Sequence, residues 1–226
     1  MSQNNARVAT FSNAISRIKF IKNLTSESLI VDIGSASGAF LSAAKKAGLN
    51  AVGFEPSKWM VEYGRRAFSV DLRVGDVFSL ERGINQPQVV TMWDVLEHLA
   101  EPKIAIDIIA KKLNDRGLMI ISLPDSSSFS ARLLRRFWPM HLDVHLSYFN
   151  EKSLNKLLNK YNFELVEKFT YFQTLSLGYL VLRLFRMFIN IENGGKAHNF
   201  LLNSKLLNLY IKYSIGQKVF VFQRSI

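Results

Sequence analysis

Cysteine is absent from the 226 residues, which excludes disulfides, thiolate metal sites and a cysteine nucleophile. Acid is scarce: 18 Asp and Glu stand against 29 Lys and Arg, a formal net charge of +11. Such an excess suits an anionic partner, whether nucleic acid, a membrane surface or a phosphorylated substrate. Internal repeats and low-complexity tracts are missing. So are long apolar runs. The most apolar stretch, LSLGYLVLRLFRMFI, is interrupted by Arg183 and Arg186 well before the roughly 18–20 residues that span a bilayer. The opening MSQNNARVATFSNAISRIKF lacks the uninterrupted apolar core of a signal peptide, so a cytoplasmic location is expected. Histidine, the residue type best suited to a base near neutral pH, is sparse too: His98, His141, His145 and His198.

What is present suits one domain over residues 1–226, with 48% of them hydrophobic. Helical periodicity runs over 8–23, with Ile15, Ile18 and Ile21 at turn spacing. SLIVDIG reads as a buried strand, and a helix follows it to Gly48. NAVGFEP is a second strand; Pro56 and Ser57 then open the helix SKWMVEYGRRAF. DLRVGDVF forms a short third strand ending at Asp76, PQVVTMWDVLEHL carries a fourth, and Pro102 starts PKIAIDIIAKKL. GLMIISLP is the fifth. This alternation predicts an α/β fold with a parallel sheet and helices on both faces. Beyond it come a loop, DSSSFSARLLRRFWPMHLDVHLSYF, and a helix, NEKSLNKLLNKY, which Asn150 caps and Asn162 ends in the left-handed conformation. FELVEKFTYF and QKVFVFQRS are the last two strands. The stretch between them is too long for an ordinary loop, and its helical patterns predict a helical insertion over 174–216.

The first strand runs directly into Gly34, Ser35, Ala36, Ser37 and Gly38. Small residues there let a ligand approach the backbone, and the following helix start is a positive dipole end. Glu55 closes the second strand, 21 residues after Gly34, where a carboxylate can accept from the two hydroxyls of a ribose. The dinucleotide fingerprint G-x-G-x-x-G is not met, because Gly38 follows Gly34 at four residues with Ala36 between them.

Taken in order, VDIGSASGAF, GFEPS, GDVF and VVTMWDVLEHL resemble successive motifs of the class I S-adenosylmethionine-dependent methyltransferases. They are most similar to the small-molecule branch with D-V-L-E-H-x after strand four. The resemblance covers residues 28–125 and weakens through Phe163. It is specific for the cofactor and not for the acceptor. It implies a Rossmann-like, doubly wound, seven-stranded and mostly parallel sheet with an antiparallel last strand. It also implies S-adenosyl-L-methionine as cofactor. Gly34, Ser35, Ala36 and Gly38 would lie against its methionine part, with Asp32 organising the loop or reaching the ammonium through water. Glu55 would bind the ribose and Pro56 or Ser57 would border the adenine. Asp76 would accept from the adenine amine, Val77 and Phe78 would pack nearby, and Asp94 would lie near the methionine end. Ala36 departs from the glycine common at that place.

Methyl transfer from a sulfonium needs alignment and, for a hydroxyl acceptor, removal of a proton. His98 in DVLEHL and His145 in HLDVHLSYF are the candidate bases, both at the carboxyl ends of parallel strands where ligands bind in open sheets. Each has a structural alternative: His98 can tie its loop to the next helix, and His145 can hold the loop after strand five. His141 ranks below them, and His198 reads as a surface residue. A metal site is not indicated, since His141 and His145 have zinc-like spacing but no helix to carry it.

Cytosine-C5 chemistry lacks its cysteine, and WDVLEHL replaces the Asn/Asp-Pro-Pro-aromatic run of enzymes that methylate adenine or glutamine nitrogen. The expectation is therefore transfer to a hydroxyl or amine of a small molecule, including a glycan or lipid-linked precursor. An RNA methyltransferase and a non-catalytic cofactor-binding module are the rivals; no RNA-binding module is recognisable. From Tyr171 to Ile226 seven Lys or Arg face one acid, Glu192. FLLNSKLLNLYIKY sets Leu202, Leu206, Leu209 and Tyr213 on one side and Lys205, Asn208 and Lys212 on another. Such a face is buried on the domain's own core, in a homodimer, or by peripheral contact with a membrane.

Overall fold

A computed structural model describes residues 3–25, 29–82, 84, 86–176 and 209–225. Seven strands form the central sheet: β1 (Leu29–Ile33), β2 (Asn50–Glu55), β3 (Asp71–Val74), β4 (Val89–Trp93), β5 (Leu118–Pro124), β6 (Phe163–Thr170) and β9 (Gln217–Arg224). Their order is β3-β2-β1-β4-β5-β9-β6. The first five are parallel, while β9 is inserted antiparallel between β5 and β6. The antiparallel strand is thus interior and β6 is the edge. β4 is buried at all five positions, as a central strand covered on both faces must be.

On one face lie α1 (Gln3–Leu24), α2 (Ala39–Lys46) and α3 (Lys58–Phe68). They pack Ile18, Ile21, Phe40, Leu41 and Val61 against Ile30, Val89 and Val221. On the other, α4 (Pro102–Lys112) and α6 (Glu151–Leu158) bury Ile106, Ile109, Leu154 and Leu158 against Val31, Met92 and Phe222. This is the expected doubly wound arrangement. The caps also form as expected. Ser57 accepts from the Met60 amide at 3.3 Å, Asn150 and Ser153 make a reciprocal box, and Asn162 takes φ 60°.

Four local expectations are corrected. The first helix begins at Gln3, and Ala14, Ile18 and Ile21 face the core while Ile15 is exposed. The true apolar stripe uses a small residue where the periodicity suggested a large one. The third strand stops at Val74 and the chain turns into a 3-10 helix at Val77–Arg82. The loop after β5 contains a short helix, α5 (Phe129–Leu134), capped by Ser128. The insertion expected to be helical over 174–216 is stranded at both ends: β7 (Gln173–Ser176) pairs antiparallel with β8 (Tyr210–Tyr213). The Asn13 side chain accepts from the Thr174 amide at 2.8 Å, docking the ribbon on α1. A strand pair lets the chain leave and return at one place with its amides satisfied. The rest of the insertion, including His198, Arg183, Arg186 and Lys205, lies outside the described residues.

Candidate functional site

Parallel register brings the ends of β1, β2, β3 and β4 to one edge: Ile33 lies beside Phe54 and Met92, and Glu55 beside Val74. The loops leaving that edge carry nearly every residue the motifs singled out.

Gly34 and Ser35 both donate to the Phe54 carbonyl, at 2.8 and 3.0 Å, which folds the chain back over β2. Gly34 has φ +73°, and a Cβ there would stand 2.5 Å from Val95 Cγ2. Ala36 (φ 46°) and Gly38 (φ +78°) are left-handed as well, so Ala36 holds the conformation that glycine adopts without strain. A second close approach went unread in the sequence: a Cβ on Gly53 would lie 2.3 Å from Ser35 Oγ. A glycine inside an otherwise apolar strand is the signal that marks it.

Glu55 organises this loop. Its Oε2 accepts from the Ala36 amide and its Oε1 from the Ser57 amide, both at 3.0 Å, joining the glycine turn to the start of α3. Asp32 lies beneath it, 2% exposed. Thr91 Oγ1 donates to Asp32 Oδ1 at 2.6 Å and Ser35 Oγ to Oδ2 at 2.7 Å. Burial pushes the Asp32 carboxyl up to about 6, against the pull of those hydroxyls and of Arg17. Asp32 therefore holds the loop from below.

Asp76 is exposed at the rim, its Oδ1 accepting from the Phe78 amide at 3.0 Å. Phe78 is 49% exposed, an apolar ring beside a carboxylate, whereas Val77 is buried in the core under α4. Asp94 follows β4 with φ 60°. Ser122 Oγ donates to its Oδ1 at 2.8 Å, and Gln217 Nε2 donates to the same oxygen; Gln173 Nε2 reaches Oδ2 at 3.3 Å. Arg17 stands 3.8 Å from Oδ2. Its Nε donates to Tyr171 Oη at 2.8 Å, and its guanidinium lies 4.4 Å from the Trp93 ring centroid. Arg17, Trp93 and Tyr171 border a pocket of about 190 Å3 with Phe20, Phe169 and Lys212. Arg17, Trp93, Tyr171 and Gln217 were invisible in the sequence because four distant segments supply them.

The histidines divide. His98 Nδ1 is 2.8 Å from the Val144 carbonyl and His145 Nδ1 is 2.9 Å from the Met140 carbonyl. Their rings meet edge to face, centroids 4.8 Å apart. The Leu146 and Ser147 amides donate to the Glu97 carbonyl at 2.9 and 3.1 Å, binding the loop to the turn after β4. His141 turns away and packs against Trp138 and Tyr148. Glu97 is the residue the sequence reading passed over inside its own motif. It is 2% exposed, and among the described residues neither carboxylate oxygen has a hydrogen-bond partner. Burial first, and the nearby Asp94 charge second, raise its carboxyl to about 8.

The cleft edge thus offers a turn of small residues open to close approach, the Glu55 and Asp76 carboxylates for hydroxyls and an amine, and the open Phe78 ring for a flat base. That set fits an adenosyl group bearing an amino acid.

The comparisons agree with this fold. A putative methyltransferase from Bacillus halodurans superposes with TM-score 0.67 at 12% identity, covering 94% of this chain and 99% of that one. The magnesium protoporphyrin IX methyltransferase of Synechocystis, solved with S-adenosylhomocysteine bound, gives TM-score 0.62 at 15% identity, covering 100% and 88%. The cyclase SpnF gives 0.61 at 16%, covering 94% and 81%. A comparison with curated proteins finds no match. These likenesses establish the fold. The family follows from the chain itself, since residues 7–168 match the model of a methyltransferase domain. With that match laid over the glycine turn, Glu55 and the edge they share, the chain belongs to the S-adenosylmethionine-dependent methyltransferases.

Proposed function

We propose that the protein methylates a hydroxyl or amine of a small molecule, a class that includes glycan and lipid-linked precursors. The observation that carries this reading is the meeting of His98 and His145 beyond the end of β4. Each Nδ1 faces a carbonyl oxygen, which only accepts, so Nδ1 carries the proton and Nε2 keeps the lone pair of the neutral ring. A nitrogen of that kind can take the proton from an acceptor O–H or N–H, a contribution worth roughly 100- to 10,000-fold in rate. When bound, S-adenosylmethionine supplies an activated methyl group, which leaves alignment and proton removal to the protein. Glu55 would receive the ribose hydroxyls, Asp76 the adenine amine, and Gly34 to Gly38 would cradle the methionine part over Asp32. Arg17 and its aromatic neighbours would wall the acceptor side.

The same reading puts the protein in the cytoplasm, in contact with a membrane surface where the acceptor is lipid-linked. The net charge of +11 also suits RNA, which makes an RNA methyltransferase the second reading. A module that binds the cofactor without transfer is the third.

The test is transfer of labelled methyl from S-adenosylmethionine to fractionated cell extract, followed by identification of the product. Label is expected in a small-molecule or lipid-extractable fraction. With that acceptor, His98→Ala or His145→Ala should lower kcat by about 100-fold. Calorimetry should find S-adenosylhomocysteine affinity intact in both variants and at least about tenfold weaker in Glu55→Ala, which loses charge-assisted bonds to hydroxyls. Label in RNA, with salt-steep RNA binding, would select the second reading. Binding of S-adenosylhomocysteine with no transfer to any fraction would select the third.

A further inference from the structure

We infer that Glu97, His98 and His145 form a binding site for one divalent transition-metal ion at the acceptor end of the cleft. The inference rests on the acceptor side assigned above; an ion held by the two imidazoles there would ease the acceptor's proton away in their stead. One ligand atom from each residue lies within 4.8 Å of the others. Donors around a divalent ion at about 2.1 Å stand roughly 3–4 Å apart, so small side-chain rotations close the site.

Three further features point to a cation. The first is Glu97 itself, 2% exposed and with both oxygens unsatisfied among the described residues. Buried polar oxygens without a partner cost stability, and a bound cation would satisfy them. The second is the histidine geometry. A carbonyl oxygen on Nδ1 fixes the tautomer and ring direction and leaves Nε2 as the donor atom, as outer-shell partners do for metal-bound imidazoles. The third is the backbone that joins the two halves. The Leu146 and Ser147 amides on the Glu97 carbonyl hold the His145 loop against the Glu97 turn before any ligand arrives.

Two imidazoles with one carboxylate suit zinc, manganese or iron(II) better than calcium, which takes oxygen ligands. Three protein ligands leave positions for water or an acceptor oxygen, and a bound hydroxyl loses its proton more readily there. The sequence could not announce this set. Its zinc-like spacing lies in His141 and His145, yet His141 packs on Trp138 and the pair is split.

The experiment titrates chelator-stripped protein with Zn2+ and, separately, Mn2+. Calorimetry and thermal unfolding follow the titrations, with S-adenosylhomocysteine binding measured in parallel. One ion per chain is expected, with Kd in the micromolar range or tighter and a metal-dependent rise in Tm. Glu97→Gln and His145→Ala should each weaken the ion at least tenfold and abolish its effect on Tm. Metal-free Glu97→Gln should melt no lower than the unsubstituted protein, which guards against misfolding. S-adenosylhomocysteine affinity should be the same in all three. Absence of stoichiometric binding, or binding unchanged in both variants, overturns the site while leaving the methyltransferase reading standing. Loss of S-adenosylhomocysteine binding in the unsubstituted protein would overturn that reading instead.

Discussion

Asp32 is the residue on which the glycine turn is built, and its chemistry is set by burial. The carboxyl sits under the glycine turn with Thr91 and Ser35 donating to it, raised from 3.8 to about 6. The sign follows directly. Between those values the unfolded chain has released its proton and the folded one retains it, so stability falls as pH rises through that window and levels off above it. The difference amounts to on the order of 2–3 kcal/mol. Asp32→Asn should remove that fall. Urea unfolding of both proteins at several pH values from 4 to 7 measures it through their difference, which cancels the other titrating groups. Parallel curves would show that Asp32 titrates normally. Glu55 differs in being half-buried, with its two oxygens already on the Ala36 and Ser57 amides, so it aims at a ligand without movement.

Among the elements, β9 decides whether the sheet closes. It enters between β5 and β6, and at its start Lys218 Nζ lies 2.6 Å from Asp125 Oδ2, the carboxylate being fully buried. Burial would raise the Asp125 carboxyl, but the Lys218 ammonium and the Ser127 hydrogen bonds outweigh it and hold it below 3.8. A depressed carboxyl contributes stability above its unfolded pKa and loses it as pH falls through the folded one. Lys218→Met leaves a buried charge without its partner and should cost about 3 kcal/mol at neutral pH. Adding Asp125→Asn should recover most of that loss. Denaturant midpoints of the two variants check the pair; equal midpoints for Lys218→Met and the unsubstituted protein would show that the contact contributes little. The ribbon β7–β8 escaped notice because QTLS and YIKY are short and border stretches with helical periodicity. Only pairing across the insertion identifies them as strands.

At the scale of the whole molecule the excess of basic residues meets an uneven apolar surface. Phe129, Leu133 and Phe137 are 79%, 66% and 56% exposed on the segment that also carries Arg132, Arg135 and Arg136. Among the described residues no helix is long and apolar enough to cross a membrane. Such a surface should bind a membrane from one side: the protein is expected to float with vesicles containing anionic lipid and to stay behind with neutral ones. Replacing the three arginines by glutamine should cut the floated fraction severalfold. A stable dimer that ignores both kinds of vesicle would assign the apolar surface to packing between subunits.

What the sequence by itself determined is whatever local order encodes. Buried strands appear as short apolar runs, helix starts as Ser57 and Asn150, and the glycine turn and Glu55 as two marks on successive strands of a parallel sheet. Parallel register then brings those marks to one edge, so the shape of that edge was largely readable, apart from Gly53 beneath Ser35. The surroundings of the end of β4 were not. Arg17 against Asp94, Gln217 on the same carboxylate, and Glu97 and His98 facing His145 are meetings between segments far apart in the chain. No period or spacing records them, because they depend on how α1, β9 and the loop after β5 pack over the end of β4. Whether a histidine is a base, a brace or a ligand depends on which carbonyl holds its Nδ1 and which carboxylate is buried beside it. Those are properties of the tertiary structure alone.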